Sequence, residues 1–370
     1  MRAAVVGATL ILTVFAGPGL AACAVLPRTP AEVPASRAAQ SSSTASQATL
    51  LPRVRLVATG GTISNRSGGR LTAEELVTTL PEIERYVRPE FEQFSNVSSG
   101  SLTLRQWIEL ANRINGLFTQ DSDLAGIVVT SGTDTLEETA YFLDLTVRSD
   151  KPVVLVGSMR NPSTPGYEGA ANLLEAYRVA GDPASRGKGV LVVLSGAINS
   201  AREVTKTDAH RLDTFQSRDY GLLGVVDTDR VVYYRDVVKR HTSNSEFDVS
   251  QIDALPRVDV ILTYQGATGD VIKAVVDQGA KGIVIAAAGA GATSGTQEDG
   301  IRYAVDKGVF VVTTTRTGGG RVAARGRPSS APRLHIQGED LAPVKARILL
   351  MLALTKTQDG AVIQRMFTEY

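Results

Sequence analysis

A chain of 370 residues with 43% hydrophobic and 21% charged side chains has the composition of a folded protein of roughly two to three domains, which excludes disorder as its main state. Basic and acidic residues nearly cancel, at 39 and 38, so there is no electrostatic footprint for nucleic acid. One Cys and three His exclude an intrachain disulfide and a multi-cysteine metal site, and the lack of an H-x-x-x-H pair excludes a zincin centre.

In chain order, residues 1–23 read first as an export signal. Arg2 is followed by an apolar run at 3–16 that is too short to span a bilayer. Leu20-Ala21-Ala22-Cys23 then places small residues at a cleavage point just before the only Cys. This resembles the lipobox of bacterial lipoproteins, in which the Cys is lipid-modified; the plainer alternative is a cleaved signal with a chance Cys. A diacyl anchor at Cys23 would hold the protein on a membrane at the cell surface or in the periplasm. Residues 24–50 are rich in Ala, Ser, Thr, Pro and Gln and cannot bury a core, so they read as a flexible tether.

From residue 54 the chain alternates short β-branched runs with amphipathic ones. Strands are predicted at 54–59, 126–130, 152–157, 189–195, 258–263, 282–287 and 308–315. Several are continuous apolar runs, the pattern of parallel strands covered on both faces. Helices are predicted at 73–80, 104–115, 135–147, 169–180, 269–278, 295–307 and 343–357. This alternation implies an α/β fold of open, mostly parallel sheets with helices on both sides. The polar stretch 240–256 interrupts it and divides an N-terminal domain at 51–239 from a C-terminal one at 257–370.

Ligands of open parallel sheets bind beyond the carboxyl ends of the strands, so the loops there hold the candidates. After the first strand comes Thr59-Gly60-Gly61-Thr62, whose glycines permit a sharp turn before a hydroxyl. It is not a G-x-G-x-x-G fingerprint, and no dinucleotide site is implied. After the second comes Ser131-Gly132-Thr133-Asp134-Thr135-Leu136-Glu137. Here Asp134 suits an N-cap, with Glu137 completing a capping box. After the fourth, Val204-Thr205-Lys206-Thr207 lodges a Lys between two Thr, where desolvation would favour a neutral amine able to accept a hydroxyl proton. Two Thr, a Lys and an Asp suit acyl transfer by an activated hydroxyl, with the carboxylate left to pair with a substrate ammonium. A Ser-His-Asp arrangement has no G-x-S-x-G elbow to support it.

The segments TGGTI at 59–63, GIVVTSGTDTLEETAYFLDLTV at 126–147, KPVVLVGSMR at 151–160, VTKT at 204–207 and PVKARILLMLALTKTQD at 343–359 resemble bacterial type II L-asparaginases. The resemblance implies two α/β domains, a homotetramer or homodimer, no cofactor, and hydrolysis of L-asparagine to L-aspartate and ammonia. It assigns Thr62 as nucleophile of an acyl-enzyme, Thr133 and Lys206 as the second hydroxyl and its base, and Asp134 to the substrate amino group. Ser99, in Asn96-Val97-Ser98-Ser99-Gly100, would bind the substrate α-carboxylate. The chain departs from the family in lacking a Tyr at 64–85, in reading Ser131 for the His of HGTD, and in Gly100 and Ala292 at positions of a Gln and an Asn. Residues 308–338, where a partner-subunit Glu is expected, hold no acid, only Arg316, Arg321, Arg325, Arg327 and Arg333. A leader, a tether and two α/β domains also describe a solute-binding lipoprotein that captures an acidic or amide amino acid without turnover; this is the alternative reading.

Overall fold

A computed structural model describes residues 50–323 and 334–370. The leader at 1–23 with Cys23, the tether up to residue 49, and Arg325, Arg327 and Arg333 lie outside them. The strands in chain order are β1 (Arg53–Gly60), β2 (Asn65–Arg66), β3 (Gly69–Arg70), β4 (Arg88–Val97), β5 (Leu124–Thr130), β6 (Val153–Val156), β7 (Val190–Leu194) and β8 (Ala197–Ser200). They continue with β9 (Thr205–Lys206), β10 (Phe215–Gln216), β11 (Gly224–Val226), β12 (Val231–Tyr233), β13 (Val258–Leu262), β14 (Gly282–Ala287), β15 (Phe310–Thr315) and β16 (His335–Gln337). The helices are α1 (Ala73–Thr78), α2 (Leu104–Gln120), α3 (Leu136–Thr146), α4 (Gly169–Gly181), α5 (Asp270–Asp277), α6 (Gln297–Asp306), α7 (Pro343–Leu354) and α8 (Gly360–Glu369).

Eight strands form one sheet in the order β12-β11-β8-β7-β6-β5-β1-β4. Strands β4, β1, β5, β6 and β7 run parallel, whereas β8, β11 and β12 are added antiparallel. A second sheet, β13-β14-β15-β16, is wholly parallel. The first connection leaves β1 toward β4 and the next strand, β5, lies on the other side of β1. The strand order therefore reverses at β1, and the crevice between the ends of β1 and β5 is the switch point where such sheets bind ligands.

Burial follows the predicted pattern. Every residue of β14 is buried, and so is all of β5 except Ala125. On one face of the large sheet α4 and α1 cover Val54, Leu56, Val128 and Val154. On the other, α2 and α3 cover Val57, Ile127, Val129 and Val153, in a cluster that continues through α7 into Val258, Val284 and Val312 of the second sheet. From Ile348 to Leu354 every side chain of α7 is buried, which is why that helix is apolar all round. Helices α5 and α6 close the far face of the second sheet. The stretch 240–256 is packed rather than loose: Phe247 and Val249 are buried, and Ser245 Oγ donates to Leu145 O at 2.5 Å.

Candidate active site

The loop after β1 is seated directly on the loop after β5. Gly61 has φ +92°, and a Cβ there would lie 2.2 Å from Gly132 N. Only a glycine allows the two loops to touch. Gly60, at φ +107°, is pressed in the same way against the backbone of Val97 at the end of β4. Thr59 Oγ1 donates to Thr130 O at 2.6 Å, and Thr59 N donates to Thr130 Oγ1 at 3.2 Å, which fastens the two strand ends together. Thr62 emerges from this turn half-buried, at the start of a short 3-10 turn spanning Thr62–Ser64. Its hydroxyl makes no hydrogen bond among the described residues.

Ser99 and Gly132 are likewise in contact. A Cβ on Gly132 would lie 2.9 Å from both Ser99 N and Ser99 Oγ. Ser99 Oγ accepts Thr135 N at 3.4 Å and is 5% exposed. Lys206 reaches the same turn from β9, a short ribbon paired with β10. Its Nζ donates to Thr133 Oγ1 at 3.0 Å and to Asp134 Oδ1 at 2.7 Å. The burial is unequal: the Lys206 side chain is 14% exposed, the Asp134 side chain 83%. A sheltered amine thus bridges a buried hydroxyl to a carboxylate open to solvent. Lys206 joins Thr133 and Asp134, Ser99 lies against Gly132 and Thr135 of the same loop, and the Gly61–Gly132 contact brings the Thr62 turn against them.

The capping box expected at Asp134 and Glu137 does not form. The N-cap of α3 is Thr135, without a side-chain cap bond. Asp134 turns to Lys206 instead, because an ammonium is a stronger partner than a helix amide. Glu137 turns to β9, where its Oε1 accepts Thr205 Oγ1 at 3.0 Å and Lys206 N at 3.3 Å. Only the position of Glu137 one residue into a helix facing the site could have signalled that role. Glu138 packs under α7, and burial raises its carboxyl above the ordinary value although Arg347 pulls the other way. No group of His, Cys, Asp and Glu capable of holding a metal ion occurs among the described residues.

Comparison with known proteins identifies the family. Residues 53–239 match the family described as "Asparaginase, N-terminal", and residues 257–367 match "Glutaminase/Asparaginase C-terminal domain". The protein called L-asparaginase 2 of Bacillus subtilis strain 168 is 44% identical, over 98% of this chain and 97% of that protein. The chain belongs to the asparaginase family. L-asparaginase 2 of Escherichia coli K12 is 39% identical over 86% of this chain and 94% of its own. A solved structure titled as a probable cytoplasmic L-asparaginase from Campylobacter jejuni superposes with a TM-score of 0.81 at 40% identity, covering 86% of this chain and 100% of that one.

The segment after Thr62 is a hairpin of β2 and β3 with no Tyr of its own. A Tyr arrives from elsewhere: Tyr167, in the loop before α4, donates from Oη to Ile63 O at 3.1 Å. Ser163 of the same loop accepts Ser67 N at 2.8 Å. Burial, reinforced by the neighbouring Glu168, pushes the Tyr167 phenol up to about 12, so it remains a donor at neutral pH. In the second sheet, Ala292 is exposed in a turn closed by its bridge to Ala288. Arg316 is exposed, and Arg321 is paired with Glu339, which lies just past the acid-free stretch.

Proposed function

We propose that the chain is an L-asparaginase that hydrolyses L-asparagine to L-aspartate and ammonia through a Thr62 nucleophile and an acyl-enzyme ester. The observation that carries this reading is the bridge from Lys206 Nζ to Thr133 Oγ1 and Asp134 Oδ1, next to the turn that presents Thr62. Asp134, the exposed member, takes the substrate ammonium, and Ser99 takes the α-carboxylate. The incoming ammonium competes with Lys206 for Asp134 and leaves the amine to Thr133. Thr62 Oγ1 attacks the side-chain amide carbon, the C–N bond breaks, and the hydroxyl proton ends on the departing ammonia. The Thr133–Lys206 pair relays that proton. Water then cleaves the ester, releasing aspartate and restoring Thr62.

The experiment is ammonia release from L-asparagine by the purified protein. Turnover supports the reading; binding of intact asparagine without ammonia would contradict it and describe the solute-binding alternative. No observation in the site favours that alternative.

Location and assembly extend the proposal. The Campylobacter relative is called cytoplasmic, so export of this chain rests on its own leader: an apolar run, then Leu20-Ala21-Ala22-Cys23. We place it outside the cytoplasm as a Cys23-anchored lipoprotein, with domains at 51–239 and 257–370 joined by 240–256. Replacing Cys23 by Ser should move the protein from the membrane pellet to the soluble fraction; an unchanged pellet fraction would contradict the anchor. A second copy is expected on the second sheet, where β13 is an edge strand and Val260, Leu262, Tyr264 and Val271 are 38%, 51%, 52% and 51% exposed. A cluster of large apolar side chains on one edge marks an association surface. Leu262→Asp should lower the mass seen by light scattering toward that of the monomer, and an unchanged mass would exclude this edge.

A further inference from the structure

Two charged side chains that touch none of the reacting groups converge on the backbone that carries Lys206. Glu137 approaches from α3, and its Oε1 accepts Thr205 Oγ1 at 3.0 Å and Lys206 N at 3.3 Å. Lys345 approaches from the first turn of α7. Its Nζ donates to the carbonyls of Ala201 and Arg202, each at 2.9 Å, and to that of Val204. The two side chains lie 3.9 Å apart, Lys345 is 1% exposed, and Glu137 Oε2 has no hydrogen-bond partner. Two ionisable groups and an unsatisfied oxygen are costly to bury, and a hydrophobic pair of the same size would cost the fold less. What the pair does accomplish is specific: three carbonyls and one amide within 201–206 are held from one side by Lys345 and from the other by Glu137.

We infer that Glu137 and Lys345 are positioning residues that fix the backbone of 201–206 so that Lys206 Nζ meets Thr133 and Asp134. The inference rests on the asparaginase reading and deepens it. Because Lys345 belongs to α7, the placement of the base on the β9–β10 ribbon depends on a helix from the C-terminal part of the chain. The hydrogen bonds of Glu137 go to Thr205 and Lys206 N and not to Ser99 or Asp134, so loss of the pair should act on the placement of Lys206 more than on the substrate's own contacts.

The test separates kcat from KM for L-asparagine. Glu137→Ala should lower kcat by about 10- to 100-fold, the cost of displacing a reacting group by about 1 Å. KM should stay within about threefold of wild type, as for loss of an interaction that matters only in the transition state. Glu137→Gln keeps a carbonyl oxygen for Thr205 and Lys206 and should recover most of the lost kcat. Thr205→Val, nearly isosteric, removes one of the two bonds to Glu137 and should lower kcat several-fold; it carries the test alone if the Ala variant does not fold. An active wild type beside Ala and Val variants with unchanged kcat would overturn the inference alone, as would a Gln variant as impaired as Ala. A wild type that releases no ammonia would overturn the functional reading, and this inference with it.

Discussion

Thr62→Ala should lower kcat for L-asparagine by about 10⁴-fold or more, the scale seen when the nucleophile of a covalent mechanism is removed. Thr62 is half-buried at the start of a 3-10 turn whose backbone is set by Gly61 against Gly132, and its hydroxyl holds nothing else in place. The substitution therefore subtracts a reacting atom and little stability, and the melting temperature should move by no more than a few degrees. Lys206→Met should cost about 10³-fold, because it removes the proton acceptor and strands the Thr133 hydroxyl it bonds. The double variant should be scarcely worse than Thr62→Ala, since groups that act in one step do not contribute additively. Ammonia release by the three variants checks all of this. Activity of Thr62→Ala within tenfold of wild type would remove Thr62 from the chemistry.

Lys345→Met carries the largest expected effect on stability, a loss of about 3–5 kcal/mol, as found when one partner of a buried ion pair is deleted. Met fills much of the same volume, so little cavity results. What is lost is the donor to the carbonyls of Ala201, Arg202 and Val204, and the positive charge beside Glu137. Denaturant unfolding followed by circular dichroism measures it. The pH dependence has a defined sign. Burial lowers the Lys345 ammonium from its ordinary 10.5 to about 8, although Glu137 pulls upward. Between pH 8 and 10.5 the unfolded chain therefore holds more protons than the folded one, and stability rises with pH through that window. The Met variant lacks this gain, so its deficit relative to wild type should widen from pH 7 to pH 10. A constant deficit would contradict the burial of a titrating amine.

Much of this arrangement is legible in the amino-acid sequence because several parallel strands are continuous apolar runs and the loops that follow them carry Gly, Thr and Asp. Strand β14 and the strand-to-loop junctions at Thr59 and Thr130 are read directly that way. Strand β4 is not. Its segment, RPEFEQFSNV, alternates charges that look like a solvated loop. It is an edge strand whose Glu90 pairs across the register with Arg53 and Arg55 of β1. Helix α8 was hidden for a different reason. It is capped by Asp359, whose carboxylate accepts Ala361 N and Val362 N, and the apolar pattern of α7 running on to residue 357 masks its start.

In the site, the Thr, Lys and Asp set is legible from chemistry at strand ends, and Ser99 from family resemblance. Glu137 and Lys345 are not, because local capping rules explain the first and an apolar helix hides the second. Tyr167 escapes for the same kind of reason. It comes from a loop about 100 residues downstream of Ile63 and is recognised only when Oη is seen on that carbonyl.

The most direct measurement is of where the acyl group sits. Protein mixed with L-asparagine, quenched in acid within milliseconds and digested, should yield an aspartyl ester on the peptide containing Thr62, with the peptide containing Thr133 unmodified. An ester on Thr133, or continued turnover with neither peptide modified, would contradict the mechanism.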